Sequence, residues 1–292
     1  MRAGRTSVSV ALLGMVISSC SYAHPEVGIW PEESSSDSDG LLLLLPLLAL
    51  GLAQGSAAIA ADEEASCEST YASAIRAEAA LVSYWRFEDI SDGSAEDELG
   101  RNSATITGTP AAVASIACGG QASSHDGSNY WIAPDNDTLD FNFNEDFAIE
   151  LWASIPSTQL GSGRVIVSKW GAGPGYPFSV RYGAGSGDQI EGLRFDTTNA
   201  PQINTGAVAD TGFRHLVFQR NSGTLEIYLD GSLVTSTADT TSASTQSAGD
   251  LTFAAQTATS AALTAVLDEI AIYNAALSQA TISEHYRLGL NL

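Results

Sequence analysis

Positive charge is scarce in this chain. Lysine and arginine number 12 against 34 aspartates and glutamates, a formal net charge of −22 over 292 residues. Only one lysine occurs, Lys169. Such a surface repels phosphate backbones, which excludes nucleic acid as a partner class. It suits solubility in salt and it suits divalent cations. Histidine is rare too: His24, His125, His215 and His285 stand too far apart in sequence to suggest a histidine metal cluster. Cysteine is limited to Cys20, Cys67 and Cys118. No internal repeat and no heptad pattern occurs, which argues against solenoids and coiled coils.

The first 66 residues differ from the rest. Arg2 and Arg5 precede an apolar run from Val8 to Ile17, and Ile17-Ser18-Ser19-Cys20 follows. That is the order of a secretion signal, and the tetrapeptide resembles a lipobox whose Cys20 would carry the lipid. A second apolar run starts at Leu41 and continues to Ala61, close to the minimum length of a membrane span. It ends in Ala58-Ile59-Ala60, an A-x-A cleavage pattern, so it reads either as a signal core or as a membrane anchor. Between the two runs lies a flexible acidic linker, Ser34 to Gly40. Each reading places the remainder outside the cytoplasm, or alternatively in a virion, with these segments packed into the particle. With Cys20 lipidated or removed, Cys67 and Cys118 form the one available intrachain disulfide. Two free buried thiols are the other reading.

Residues 67–292 read as one all-β domain. Short alternating runs recur between Gly, Asn, Asp and Ser: Val82 to Phe87, Phe147 to Ala153, Arg164 to Lys169, Ile190 to Phe195, Phe213 to Arg220, Thr224 to Leu229 and Leu263 to Tyr273. Asn221-Ser222-Gly223 signals a hairpin. Such a series indicates a two-sheet sandwich or jelly roll. Two helices are expected, Glu68 to Ala80 and Ser278 to Arg287, the second with Ser278 as N-cap and Gly289 as stop.

Six blocks in order then resemble one family. They are Tyr84-Trp85-Arg86-Phe87-Glu88, His125-Asp126-Gly127-Ser128-Asn129-Tyr130, Asp146 to Trp152, Phe213-Arg214-His215-Leu216-Val217, Tyr228-Leu229-Asp230-Gly231 and Leu267 to Ser278. Together they resemble the laminin-G-like (concanavalin A-like) jelly roll, a relative of legume lectins and laminarinase-type glucanases. Arg214 departs from the family pattern, and His125 stands where a phenylalanine is usual, which puts local packing in doubt. The segment from Tyr71 to Trp85 also resembles forms of the domain found in phage structural proteins.

The fold hosts enzymes and binders alike. Glucanases of this fold carry three carboxylates on one strand, pointed into a cleft by the period-2 geometry. Here Asp146 and Glu150 share a face, but Ala148 stands between them. No G-x-S-x-G elbow and no H-E-x-x-H occurs. The chain is therefore expected to bind rather than catalyse. The resemblance implies one structural calcium, with Glu88 and Asp268 as ligands and Asp126 as a looser third; strand-end caps are the bland reading of these acids. For a ligand face, Trp170 and Tyr176 flank a glycine-rich loop beside Lys169, with Arg181 and Tyr182 following. Trp170 capping the core is the competing reading. Tyr130, Trp131 and Trp152 are expected to be packing. The function expected is an extracytoplasmic binding or adhesion module for a glycan or protein, secreted or membrane-anchored, free to self-associate as a homo-oligomer. The alternative is a virion spike, fibre or decoration protein, and a glycoside hydrolase ranks behind both.

Overall fold

A computed structural model describes residues 70–115, 120–156, 163–171, 173–183, 187–208, 212–256, 260 and 262–292. The signal, lipobox and anchor readings, with Cys20, Cys67 and Cys118, lie outside the described residues. Among the described residues, no helix is long and apolar enough to cross a membrane.

The short strands assemble into two antiparallel sheets of eight strands each. The first, the β7 sheet, runs β14 (Ser232–Ala238), β13 (Thr224–Leu229), β12 (Phe213–Asn221), β7 (Phe147–Ser154), β16 (Thr264–Tyr273), β5 (Gln121–Asp126) and β4 (Ala112–Ala114). β1 (Leu81–Trp85) also pairs with β16. The second, the β9 sheet, runs β11 (Gln202–Asn204), β10 (Ile190–Phe195), β9 (Tyr176–Tyr182), β8 (Arg164–Ser168), β15 (Leu251–Phe253), β6 (Tyr130–Ala133), β3 (Ala104–Thr107) and β2 (Ser94–Ala95). Spatial neighbours such as β7 and β16 are far apart in sequence, as a jelly roll requires.

Alternation explains the core. Phe147, Ile149 and Leu151 of β7 face inward and meet Phe178, Phe218 and Trp131 from both sheets. Trp85 packs edge-on to Phe253 at 5.0 Å, and Phe141 stacks on Phe147 at 5.3 Å. Each such side chain withdrawn from water contributes about 1.5–3 kcal/mol. The other face of β7 is covered as well. Trp152 and Ala148 pack with Tyr71 and Ile75 of a helix at residues 70–77 (α1) and with Ile282 of α2 (Gln279–Gly289). Trp152 is therefore packing, as the sequence suggested. His125 takes the core position of the usual phenylalanine. It is buried, its Nδ1 lies 3.1 Å from Asn129 Oδ1, and its Nε2 has no partner among the described residues. Burial holds its pKa down to about 4, so it sits in the core as a neutral ring.

Both turn signals act as expected. Ser222 and Gly223 have φ of 49° and 86°, and Asp230 and Gly231 have 49° and 74°, the left-handed pairs of type I′ hairpins. Ser278 caps α2 by accepting a 3.0 Å hydrogen bond from the Thr281 amide. Gly289 differs from expectation. It lies within the helix rather than beyond it, and a Cβ there would overlap the Trp152 ring. Close approach to the tryptophan, not chain reversal, is what requires glycine.

Candidate ligand site

The outer face of the β9 sheet carries a groove of about 340 Å³. Its floor is formed by Tyr130 and Ile132 of β6 and Thr252 of β15, with Trp170 as a wall and Asp250 and Gln256 beside it. Register explains the floor: Ile132 lies opposite Thr252, and Thr252 opposite Ser168 of β8. Trp131 is buried in the core; Tyr130 borders the groove but is itself 5% exposed and part of the same core cluster, so Ile132 is the residue of this strand most open to the groove.

Trp170 is 37% exposed, whereas Trp85, Trp131 and Trp152 are buried. It is not a core cap. One face of its indole stacks on Tyr176, with centroids 4.5 Å apart and an interplanar angle of 18°. Tyr176 in turn packs against Phe195 at 5.7 Å. Tyr176 reaches this face because the pairing of β9 with β10 slips between Ser179–Leu193 and Tyr176–Phe195. The resulting bulge turns Tyr176 outward, while Phe178, Val180 and Tyr182 stay in the core. Burial raises the Tyr176 hydroxyl pKa to about 12, with Arg181 opposing and Glu191 adding to the shift.

The loop behind Trp170 is anchored. Lys169 is fully buried; its ammonium pairs with Asp135 and, at 3.2 Å, with Asp140. It also donates to the carbonyls of Ser247 at 2.8 Å and Gly249 at 3.0 Å. Gly171 and Gly249 lie backbone against backbone, so a Cβ on either would overlap the other. The lysine and glycines that read as a recognition loop are thus struts that hold Trp170 in place.

The remaining expected ligand residues are divided. Arg181 lies on the outer face, paired with Glu191 at 2.8 Å. Tyr182 packs in the core with its hydroxyl 2.9 Å from Asp188 Oδ1, and burial raises its pKa to about 12. Arg181 and Tyr182 follow the glycine-rich loop as expected, at the end of β9. Tyr130 packs in the core as expected, though it also borders the groove; Ile132, Thr252, Asp250 and Gln256 were missed as groove residues. The alternation of Tyr130-Trp131-Ile132 carried part of that signal. The pairing of β6 with β15, across more than a hundred residues, carried none.

The expected calcium ligands fall in two places. Glu88 and Asp268 hold residues on neighbouring strands, Gln121 at the start of β5 and Ser115 just after β4. Gln121 donates its amide to Glu88 at 3.0 Å, and Ser115 Oγ donates to Asp268. Burial pushes the Asp268 pKa well up; the Ser115 hydrogen bond opposes this and the nearby Glu88 charge adds to it. Arg86, 3.1 Å from Glu88, is shared with Glu269. Two crowded carboxylates, one of them buried, are an oxygen donor set that a hard divalent cation would relieve. Asp126 is not part of it. It pairs with Thr264, four residues before Asp268 on β16, hence about 13 Å away at the usual rise per residue. Its carboxylate instead closes a turn, accepting from the Ser128 amide at 2.8 Å and from its hydroxyl at 2.6 Å. Among the described residues, no group of three or more His, Cys, Asp and Glu could hold a metal ion.

The carboxylates weighed for catalysis do not face one cleft. Asp146 pairs with Arg220. Glu150 is fully buried beneath the helices, where it accepts from Tyr273 OH at 2.6 Å and lies 2.7 Å from His215 Nε2 and 3.0 Å from His285 Nδ1. Burial alone would raise its pKa, but His285 and His215 hold it well below the usual carboxylate range.

A family profile for the concanavalin A-like lectin/glucanases superfamily matches residues 125–283. No curated protein matches. Among solved structures, the binding domain of Paraclostridial Mosquitocidal Protein 1 aligns with a TM-score of 0.58 and 13% identity, covering 71% of this chain and 51% of that one. Domain 4 of AbnA, a GH43 extracellular arabinanase from Geobacillus stearothermophilus solved with arabinotriose, aligns with a TM-score of 0.55 and 17% identity, covering 70% and 98%. The Botulinum neurotoxin serotype G binding domain gives 0.55 and 16%, covering 70% and 50%. This chain thus spans about half the length of the two toxin binding domains. At these identities the likeness concerns the fold.

Proposed function

The chain belongs to the concanavalin A-like lectin/glucanases superfamily, and we propose that it is an extracytoplasmic binding module that holds a glycan against Trp170. The observation that carries this reading is the platform itself. A half-exposed indole, stacked on Tyr176, walls a groove that also presents Asp250 and Gln256. A sugar ring offers an apolar C–H face and a rim of hydroxyls. An aromatic plane with an adjacent carboxylate and amide matches both, and a platform already ordered costs little entropy on binding. The fold neighbours support the reading, since one was solved with arabinotriose and others are described as binding domains. Asp250 is the one carboxylate among the described groove residues, whereas glycoside hydrolysis generally uses a pair, so binding without hydrolysis is the function proposed.

Calcium is proposed as a structural partner at a separate place. Glu88 and Asp268 would supply its carboxylate oxygens and backbone carbonyls the remainder. Its role would be to keep Gln121 against Glu88 and Ser115 against Asp268.

The test is a glycan array with the full chain, followed by calorimetry on the tightest ligand. Trp170→Ala should weaken that ligand by about 30-fold, as loss of an aromatic hot spot does, while Trp170→Phe retains most of the affinity. Wild-type affinity in Trp170→Ala, or an array without a hit, would remove the groove from the account.

A further inference from the structure

Lys169 stands apart from the other basic residues. Of the 12 lysines and arginines it is the one lysine, so the remaining 11 are arginines. Among the described residues, the other fully buried lysine or arginine is Arg194. It pairs with Asp239 at 2.7 Å and donates to the carbonyls of Pro177, Phe141 and Asn142. A guanidinium suits such a buried strut, since it carries more donors and a permanent charge. An amine does one thing that a guanidinium does not: once it has lost a proton, it is a nucleophile. Two carboxylates meet the amine of Lys169. Asp135 Oδ1 lies 2.5 Å from Nζ, and Asp140 Oδ1 lies 3.2 Å from it. One carboxylate neutralises an ammonium; the second is surplus to a simple ion pair. Asp140 is held in place by the Ser247 amide at 3.1 Å, and Nζ by the carbonyls of Ser247 and Gly249.

We propose that Lys169 and Asp135 condense to an intramolecular isopeptide bond, with Asp140 as the proton carrier. The Asp135 carboxyl carbon is at most one C–O bond farther from Nζ than Oδ1 is. That is close to the separation of about 3–3.5 Å at which held groups react. Fixing both partners acts as an effective concentration of about 10⁵–10⁸ M, which favours a condensation that water opposes between free molecules. Transfer of one ammonium proton to Asp135 leaves an amine beside a carboxylic acid. The amine attacks the carboxyl carbon and the N–C bond forms. Asp140 takes a proton from Nζ and returns it to the departing hydroxyl as the C–O bond breaks. Ammonium and carboxylate become one amide and one water, with no oxidant and no other reactant. The Asp135 side chain is 37% exposed, so the water leaves on that side, while the Lys169 side of the bond is fully buried. Condensation also removes a buried charge that is costly to keep. The product ties the segment after β6 to the residue after β8, next to Trp170, and so fixes the platform covalently.

Tryptic mapping of the full chain, unfolded and reduced after purification, tests this, because Lys169 is the one lysine at which trypsin can cut. The bonded chain should resist cleavage after Lys169. Residues 102–164 and 165–181 should then run as one branched peptide, lighter by one water than the sum of the two. Its fragmentation in the mass spectrometer should place the junction at Asp135 and Lys169. Asp140→Asn should leave most chains unbonded, since a positioned proton carrier is worth about a hundredfold in rate. Lys169→Arg keeps the charge and should yield residues 102–164 as a free, unbranched peptide. Wild-type chain that releases residues 165–169 and 170–181 as separate linear peptides would be a plain ion pair, and it overturns the inference. A junction at Asp140 overturns it too, because the two carboxylates would have exchanged roles. The wild-type map requires no variant, so a substitution that fails to fold leaves the test decisive.

Discussion

At the scale of single residues, the same chemistry is put to opposite uses by local geometry. Tyr176 and Tyr182 end the same strand, yet a bulge sends one outward under Trp170 and leaves the other in the core. Lys169, the single lysine, serves as a buried strut. His125 is the residue whose cost can be measured. Its folded pKa of about 4 lies below the ordinary 6.5, so the unfolded chain takes up a proton first as pH falls. Stability is therefore lost between about pH 6.5 and pH 4, to a total of about 3 kcal/mol for a shift of this size. His125→Phe, which restores the family's usual ring, should remove that part of the acid dependence. Chemical denaturation at pH 7 and pH 4.5 checks it: an unchanged difference between the two pH values in the variant would acquit His125.

At the scale of elements, α1 and α2 lie on the outer face of the β7 sheet over a buried polar knot. Glu150 of β7, His215 of β12, Tyr273 of β16 and His285 of α2 meet there, with Glu78 3.9 Å from His285 and Tyr71 hydrogen-bonded to Trp152. Burial would lower the His285 pKa, but Glu150, Glu78 and Glu284 raise it above its ordinary value. Its contribution to stability is thus complete below about pH 6.5 and is lost as pH rises through the folded pKa. Glu150 is depressed, so its contribution is present above about pH 4.5 and is lost as pH falls. The knot should be strongest between those limits. Glu150→Gln leaves His285 without its carboxylate and should cost about 3–5 kcal/mol, the usual result of breaking a buried pair. The loss of stability between pH 6 and pH 9 should also flatten in the variant. Thermal unfolding at those pH values reads both effects, and a wild-type pH slope in Glu150→Gln would show that the alkaline loss arises elsewhere.

At the scale of the whole molecule, a sandwich with −22 net charge must place its acids without self-repulsion. Several are absorbed by arginines, as at Asp239 with Arg194 and Arg220. Burial and the Glu88 charge raise the Asp268 pKa while Arg86 opposes them, and Glu88 with Asp268 is the pair at which calcium is proposed. Calcium added to chelator-stripped full chain should raise the melting temperature by several degrees, the shift expected for about 1–2 kcal/mol in a domain of this size. Asp268→Asn should abolish the shift, and Asp126→Asn should preserve it. A melting temperature indifferent to calcium would leave Glu88 and Asp268 as a plain packing pair.

The amino-acid sequence by itself determined the sandwich, its two I′ turns at Ser222-Gly223 and Asp230-Gly231, and the Ser278 cap. These depend on local backbone preference and period-2 alternation, which neighbouring residues express without outside help. It also marked Trp170, Glu88 and Asp268 by type and order. Only the tertiary structure decided what those residues could join. The groove needs β6 beside β15 and a bulge in β9, and the knot at Glu150 needs α2 folded back over β7. The separation of Asp126 from Asp268 is a matter of register along β16. Such contacts join segments tens to more than a hundred residues apart. The physical reason is that strand pairing is governed by packing and ladder register across the sheet, quantities that no local stretch of the chain contains.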